Sequence, residues 1–164
     1  MPTWHYSSDI AEKNPEKTAK AMMWDAPISP KEAAELAREL RGKKLVEAKA
    51  YLERVIKLKE PVPFRWYNRK VAHKRGLAAK AGVPMGRYPV KAAKYFLKLL
   101  KNVEANAEFK GLEVEKLKIV HIASHKGMTI KRWMPRAFGR ATPEFERRTH
   151  LEVIVEEVEE NERG

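Results

Sequence analysis

The sequence contains no cysteine, so it can form neither disulfide bonds nor thiolate zinc sites. Aspartate is almost absent, and its two occurrences, Asp9 and Asp25, both lie near the amino terminus. No apolar run is long enough to cross a bilayer, and residues 1–6 lack the apolar core of a signal peptide. These absences favour a cytoplasmic protein without a membrane partner.

Motifs for catalysis are missing as well. The chain has no Walker loop, no glycine-rich dinucleotide turn and no serine nucleophile elbow. The five histidines are scattered. His121 and His125 lie four residues apart on a predicted strand, which separates them by about 13 Å, too far to share one metal ion. We therefore expect no catalytic residue, no metal site and no cofactor.

Acidic residues are outnumbered by basic ones, with 22 Asp and Glu against 34 Lys and Arg and a net charge of +12. Six of the glutamates follow Leu151, so residues 1–151 alone carry 33 basic and 16 acidic groups, a balance of +17. A body this basic favours a polyanionic partner, and nucleic acid is favoured over an acidic membrane surface.

The most basic and least regular stretch is Gly127–Arg148. Short β-branched runs flank it at residues 117–123 and 151–155, and they predict two strands that form an extended β-hairpin. The stretch between them has neither a helical period nor a regular alternation, so it cannot build a core of its own. Gly127 and Gly139 permit tight bends or a close approach of the backbone.

The side chains of this stretch favour a nucleic-acid ligand. Guanidinium groups present a planar donor fork that suits phosphate, and Trp133, Phe138 and Phe145 offer flat faces on which bases can stack. Pro135 and Pro143 lack a backbone donor and are predicted to interrupt any regular ladder here. A solvated, flexible loop with incidental basic residues is the alternative. The predicted RNA-binding residues are Lys126, Lys131, Arg132, Trp133, Arg136, Arg140, Arg147 and Arg148.

A second basic stretch covers residues 61–88, which include no acidic residue. Aromatic and basic side chains alternate in it as they do in the hairpin, and this pattern predicts a second RNA contact. The alternative is a solvated basic loop whose aromatic side chains pack on the body. The candidate residues are Arg65, Trp66, Arg69, Lys70, Lys74, Arg75 and Arg87.

A clear helix start stands at Ser29, which is predicted to cap the helix while Pro30 takes its first position. Glu32 would complete a capping box. Gly42 is predicted to end this helix in the left-handed conformation. Its apolar stripe is Ala33, Leu36, Ala37 and Leu40.

Two further helices are predicted at about 45–58 and from Pro89 to about Phe109. The last is expected to be the most buried, with Val90, Ala93, Leu97 and Leu100 on one stripe and Phe96 and Val103 beside it.

The predicted fold is α+β, with three helices packed on a small antiparallel sheet and a long protruding β-hairpin. The sheet is built from the bases of the hairpin and an edge strand at about 19–28. We predict one domain, residues 1–164. Its parts are a globular body at about 19–118 and 150–158, an extended hairpin (the arm) at about 119–155 with its tip near 128–146, and an acidic tail at 156–164.

Several short motifs, in order, resemble the ribosomal protein family twenty-two of the large subunit over about Lys20 to Val155. Each motif is weak alone, whereas the set in this order is specific. The motifs are Ile28-Ser29-Pro30-Lys31, Arg41-Gly42-Lys43, Val103-Glu104-Ala105-Asn106-Ala107, Lys131-Arg132, Pro135-Arg136-Ala137, Gly139-Arg140-Ala141 and Arg147-Arg148-Thr149-His150.

The resemblance implies a structural ribosomal protein that contacts several domains of the 23S-type ribosomal RNA. It also implies roles in translation and in assembly of the subunit. It places the body near the polypeptide exit tunnel and the arm along the tunnel wall. Implied partners are large-subunit RNA, neighbouring large-subunit proteins and the nascent polypeptide, and no homo-oligomer is implied. The implied tunnel-lining residues are Arg132, Trp133, Met134, Pro135 and Arg136.

Two departures from the short bacterial pattern are the 61–88 stretch and the acidic tail. Both resemble the archaeal and eukaryotic branch, and the modest length favours an archaeal member. Two functions of other classes stay open from the residues alone. One is an RNA-modifying or RNA-processing enzyme with a basic arm that delivers substrate, and the other is a small chromatin-type DNA binder.

Overall fold

The structure, a computed structural model, describes residues 5–158. Part of the predicted acidic tail, residues 159–164, lies outside the described residues. The elements in chain order are α1 (Ile10–Lys13), β1 (Thr18–Ala26), α2 (Pro30–Leu40), α3 (Leu45–Ile56), β2 (Val62–Pro63), α4 (Leu77–Ala81), β3 (Gly86–Arg87), α5 (Val90–Phe109), β4 (Leu117–Ile130), β5 (Trp133–Pro135), β6 (Ala141–Pro143) and β7 (Glu146–Glu157). Short 3-10 turns occupy Val114–Lys116 and Ala137–Gly139.

The main sheet has three antiparallel strands in the order β1-β7-β4. In the middle of the sheet Val155 pairs with Ala19 on one side and Ile119 on the other. The edge strand predicted at about 19–28 is therefore confirmed, but it ends at Ala26. Pro27, which follows, has no backbone N–H for the ladder.

Helices α2, α3 and α5 cover one face of this sheet, as the α+β prediction requires. The inward residues of β7, Leu151, Val153 and Val155, are fully buried in the core against them. The stripe predicted for α5 is displaced, however. Leu97 is only partly buried, whereas Phe96 and its neighbours one turn apart are fully buried. The buried face of α5 consists of Ala92, Ala93, Phe96, Leu99, Leu100, Val103 and Ala107.

The first long helix starts and ends as predicted except for its cap. Pro30 takes the first position, and Gly42 has a φ of 81°, the left-handed conformation expected after the helix. The side chain of Ser29 makes no capping hydrogen bond, so the predicted capping box with Glu32 is wrong. Both side chains line a cleft beside the helix instead.

Residues 61–88 are folded rather than loose. Strands β2 and β3 pair antiparallel, with Val62 opposite Arg87, and Phe64 N donates to Met85 O at 3.0 Å. The side chain of Leu77 is buried beneath them. A Cβ at Gly86 would lie 2.6 Å from Leu77 Cδ2 and 3.1 Å from Val62 O, so a larger residue here would force the Leu77 side chain to shift. None of the helices within residues 5–158 has the length and apolar character to cross a membrane.

Candidate nucleic-acid interface

The arm is a continuation of the two longest strands beyond the body. The β4–β7 ladder extends from Leu117 opposite Glu157 to Ile130 opposite Glu146. A second ladder, β5–β6, follows after a break and pairs Trp133 with Pro143. Because the helices end far short of this ladder, every residue from 131 to 145 is exposed to solvent.

The prolines at the tip stand at the two ends of a short ladder. Pro135 and Pro143 were expected to interrupt any regular ladder, and the β5–β6 ladder ends at both of them. Pro143 borders the break between the two ladders, at residues 131–132 and 144–145, where Glu144 N donates to Arg132 O at 2.7 Å. A terminal ladder position tolerates proline because no donor is needed there.

The base of the arm is held by the end of β1. Thr149 Oγ1 donates to Ile28 O at 2.8 Å, and Asp25 N donates to His150 Nδ1 at 3.1 Å. A Cβ on Gly127 would lie 3.0 Å from both Asp25 Oδ1 and His150 Nε2. The close backbone approach expected at Gly127 is therefore present.

The cations of the arm fall into three groups. Arg132 and Arg148 share one acid, with guanidinium–carboxylate distances to Glu146 of 3.5 and 2.7 Å. Arg136 Nε donates to Thr142 Oγ1 at 3.2 Å. Among the described residues the others have no ion-pair partner, and their charges face solvent. These are Lys126, Lys131, Arg140 and Arg147.

Three aromatic side chains accompany these cations. Trp133 and Phe145 meet edge to face, with ring centroids 5.7 Å apart and planes at 89°. Both rings remain exposed. Phe138, at a positive φ of 58° in the terminal turn, is 93% exposed. Exposed aromatic side chains that cluster on one surface are typical of an interaction site.

The second set of candidates projects from residues 61–88. Trp66 is 75% exposed, and Arg69, Lys70 and Arg75 have no ion-pair partner within the described part of the chain. Arg65 differs, because its guanidinium pairs with Glu39 and donates to Ala81 O at 3.3 Å. We therefore assign Arg65 a role in stabilising the fold ahead of a role in RNA binding.

The remaining two candidates of this set lie against aromatic rings. Lys74 Nζ lies 5.3 Å from the centroid of the Tyr88 ring, and the Arg87 guanidinium lies 5.8 Å from that of Phe64. One side of each cation packs against an aromatic ring. The other side stays accessible to a ligand, since Arg87 is exposed and Lys74 is half-buried.

A buried carboxylate holds the turn that carries these side chains. Glu35, on α2, is 1% exposed and accepts three backbone hydrogen bonds from the turn. Its donors are Arg65 N at 3.2 Å, Trp66 N at 2.8 Å and Tyr67 N at 2.9 Å. The turn is thereby fixed to the body before any ligand binds.

Sequence reasoning missed two cations beside this turn. Lys31 Nζ lies 5.6 Å from the Tyr67 ring centroid, and the Arg38 guanidinium lies 4.6 Å from that of Trp66. Both cations are on α2, seven residues apart, and therefore share its exposed face. That spacing was visible in the sequence, but the tertiary fold was needed to bring residues 66 and 67 to the same face.

A polar cluster lies on the other face of the sheet. Glu152 is fully buried and accepts hydrogen bonds from Ser7, including its backbone N–H at 3.3 Å. His121 Nε2 and His125 Nε2 lie 2.8 and 3.2 Å from the same carboxylate oxygen. The two histidines, which were expected to be too far apart to share one metal ion, both turn their rings towards Glu152. Within residues 5–158 no group of three or more His, Asp or Glu is arranged to hold a metal ion.

This cluster predicts a pH dependence of stability. Burial raises the pKa of the Glu152 carboxyl, but the hydrogen bonds from Ser7 and the two histidines outweigh burial and lower it to about 2 from 4.5. A lowered folded-state pKa stabilises the protein above pH 4.5, and that stability is lost as the pH falls towards 2. We expect urea unfolding of Glu152→Gln to depend less on pH than wild type in this window. Glu156→Gln, on the same strand, is the control and should keep the wild-type slope.

Comparisons with known proteins agree with these features. The family model described as ribosomal protein L22p/L17e matches residues 21–156. The large ribosomal subunit protein uL22 of Ignicoccus hospitalis is 91% identical over 159 residues, which cover 97% of this chain and 100% of that protein. The uL22 proteins of Hyperthermus butylicus and Methanocaldococcus jannaschii are 62% and 56% identical, over 97% and 88% of this chain and 100% and 90% of their own lengths.

Proposed function

The chain belongs to the ribosomal protein L22p/L17e family, in its archaeal-type form, and from this we propose how it acts as a structural protein of the large ribosomal subunit. It has no catalytic role in this proposal. It works in the cytoplasm, within a particle of ribosomal RNA and neighbouring ribosomal proteins.

The arm is proposed to bind large-subunit RNA and to connect several of its domains. The observation that carries this proposal is that every residue from 131 to 145 is exposed, and that several cations of the arm have no acid partner in the described part of the chain. Such a segment neutralises phosphates and releases counterions on binding. The rings of Trp133 and Phe145 are available for stacking at the same surface.

The tip is proposed to line the polypeptide exit tunnel, with the body near the tunnel exit. Support comes from family membership and from the length of the arm, which carries residues 132–136 away from the helical body. Phe138, at the far end, would face the nascent polypeptide. The RNA contacts of residues 61–88 would lie on the body rather than on the arm.

A photoreactive phenylalanine analogue at Phe138 tests, in one particle, both the proposed incorporation into the large subunit and the proposed position of the tip in the tunnel. We expect the modified chain to sediment with the large subunit through a salt gradient, because many phosphate contacts hold it. Irradiation of stalled translating ribosomes should then attach the nascent polypeptide to position 138. Phe109, at the end of α5, has almost the same exposure, 94% against 93%, and is the matched control position.

Labelling of the nascent polypeptide from position 109 and not from position 138 would contradict the proposed orientation. Failure of the unmodified chain to sediment with the subunit would contradict the proposed function as a whole.

A further inference from the structure

A cleft of about 370 Å³ opens beside the first turn of α2. One wall is that helix turn, with Ser29, Lys31 and Glu32, and the other is the turn at residues 64–69 together with Arg87. The volume falls at the lower end of the range of small-ligand sites, about 300 to 1,000 Å³. One nucleotide is a ligand of suitable size.

The walls combine an aromatic ring with cations. Tyr67 is 41% exposed at the cleft and has Lys31 Nζ over one face of its ring, 5.6 Å from the centroid. Arg69 is exposed and has no ion-pair partner within residues 5–158, and Arg87 is held over Phe64. A ring beside guanidinium groups suits a base and its phosphate at the same time.

Glu32 gives the cleft a feature that phosphate binding alone does not explain. It is half-buried and lines the same cleft as Lys31, Arg69 and Arg87, and it makes no hydrogen bond or ion pair with any residue in the described part of the chain. A carboxylate here would repel a phosphate. It would accept hydrogen bonds from the N–H groups of a base, as acidic side chains do with exocyclic amino groups.

We propose that this cleft binds one unpaired nucleotide of large-subunit RNA, with its base against Tyr67, its N–H donors on Glu32 and its phosphate near Arg69 and Arg87. The inference rests on the proposed function, since it presupposes that the chain binds this RNA. The three backbone hydrogen bonds to Glu35 hold Tyr67 in place before binding, so little ordering of the turn is required when the nucleotide enters.

Binding of the full chain to purified large-subunit RNA, measured at several salt concentrations, tests the proposal. We expect Tyr67→Leu to lower the affinity about tenfold without changing the salt dependence, because stacking involves no charge. Tyr67→Phe, which keeps the ring, should bind like wild type. Tyr88→Leu is the matched control, since Tyr88 also carries a lysine beside its ring but lies outside the cleft.

Glu32→Ala tests the proposal sharply, because simple electrostatics predicts the opposite change in RNA affinity. Removal of a negative charge from a basic RNA-binding surface normally strengthens binding, whereas loss of a base acceptor weakens it. We expect Glu32→Ala to bind several-fold more weakly than wild type. Glu47→Ala removes the corresponding first-turn acid of α3 and should bind as well as wild type or slightly better.

The possible failures are distinguishable. If wild type binds the RNA while Tyr67→Leu and Glu32→Ala match it, the cleft proposal is overturned and the proposed function stands. If wild type does not bind, the proposed function fails and the cleft proposal fails with it. Guanosine monophosphate should not displace the RNA at about 1 mM, roughly the limit of weak binding. Displacement would assign the cleft to free nucleotides instead.

Discussion

Replacement of Lys131, Arg140 and Arg147 by glutamine should strongly flatten the salt dependence of binding to large-subunit RNA. Each lost phosphate contact makes the negative slope of log K against log salt shallower by about 0.7 to 0.9. The triple variant should therefore lose about 2 to 3 from the slope. These three cations are chosen because they face solvent and have no acid partner in residues 5–158.

The paired cations should behave differently. Arg132 and Arg148 already share Glu146, so their charge is partly compensated before RNA arrives. Replacement of either one leaves Glu146 with a single partner. It changes the net charge of the arm by one unit, as does replacement of one cation of the unpaired group. We expect a smaller change in slope per residue than for the unpaired group.

A matched control separates position from total charge. Lys94, Lys98 and Lys101 are exposed on α5, away from the arm, and their replacement by glutamine also removes three charges. The slope should fall less in this control than in the arm variant. Equal slopes for the two triple variants would contradict the arm as the principal RNA contact.

Replacement of Glu35 by leucine should cost about 3 kcal/mol of unfolding free energy, because three backbone N–H groups lose a charged acceptor at once. Glu35→Gln keeps one acceptor oxygen and should lose less. Urea unfolding measures both values. Amide hydrogen exchange at residues 65–67 should accelerate in Glu35→Leu well before global unfolding, since these amides lose their acceptor.

Glu39→Gln is the control for this prediction. Glu39 lies one turn further along α2 and pairs with the Arg65 side chain on a partly exposed surface. Partly exposed ion pairs contribute about 0 to 1 kcal/mol, so this variant should lose much less than Glu35→Leu. A similar loss in both variants would show that the backbone hydrogen bonds to Glu35 are not the main anchor of the turn.

Much of the fold followed from local patterns in the chain. The α2 stripe of Ala33, Leu36, Ala37 and Leu40 is buried as its spacing indicated. Gly42 and Gly111 adopt positive φ values of 81° and 78°, since both helices end where glycine allows the left-handed turn. Strand β4 begins at Leu117, where its predicted β-branched run starts, whereas β7 begins at Glu146, five residues before the predicted run at 151–155.

Other features depended on contacts between distant segments. The two histidines at 121 and 125 converge because Glu152 on the paired strand lies between them. The α5 stripe centres on Phe96 rather than Leu97, since the position of the sheet decides which side of a broad apolar face is covered. No periodicity in a single segment contains that information.

By itself, the sequence predicted a polyanionic partner and a basic arm as the surface that would meet it. Charge, aromatic content and the lack of any periodicity are properties of composition, and they indicated an exposed basic arm without reference to a fold. The tertiary structure alone decided which charges are available. Glu146 pairs with two arginines of the arm, Glu39 pairs with Arg65, and Glu35 fixes the turn of Trp66 and Tyr67. Pairing depends on distances of a few ångströms between residues far apart in the chain, and only packing sets those distances.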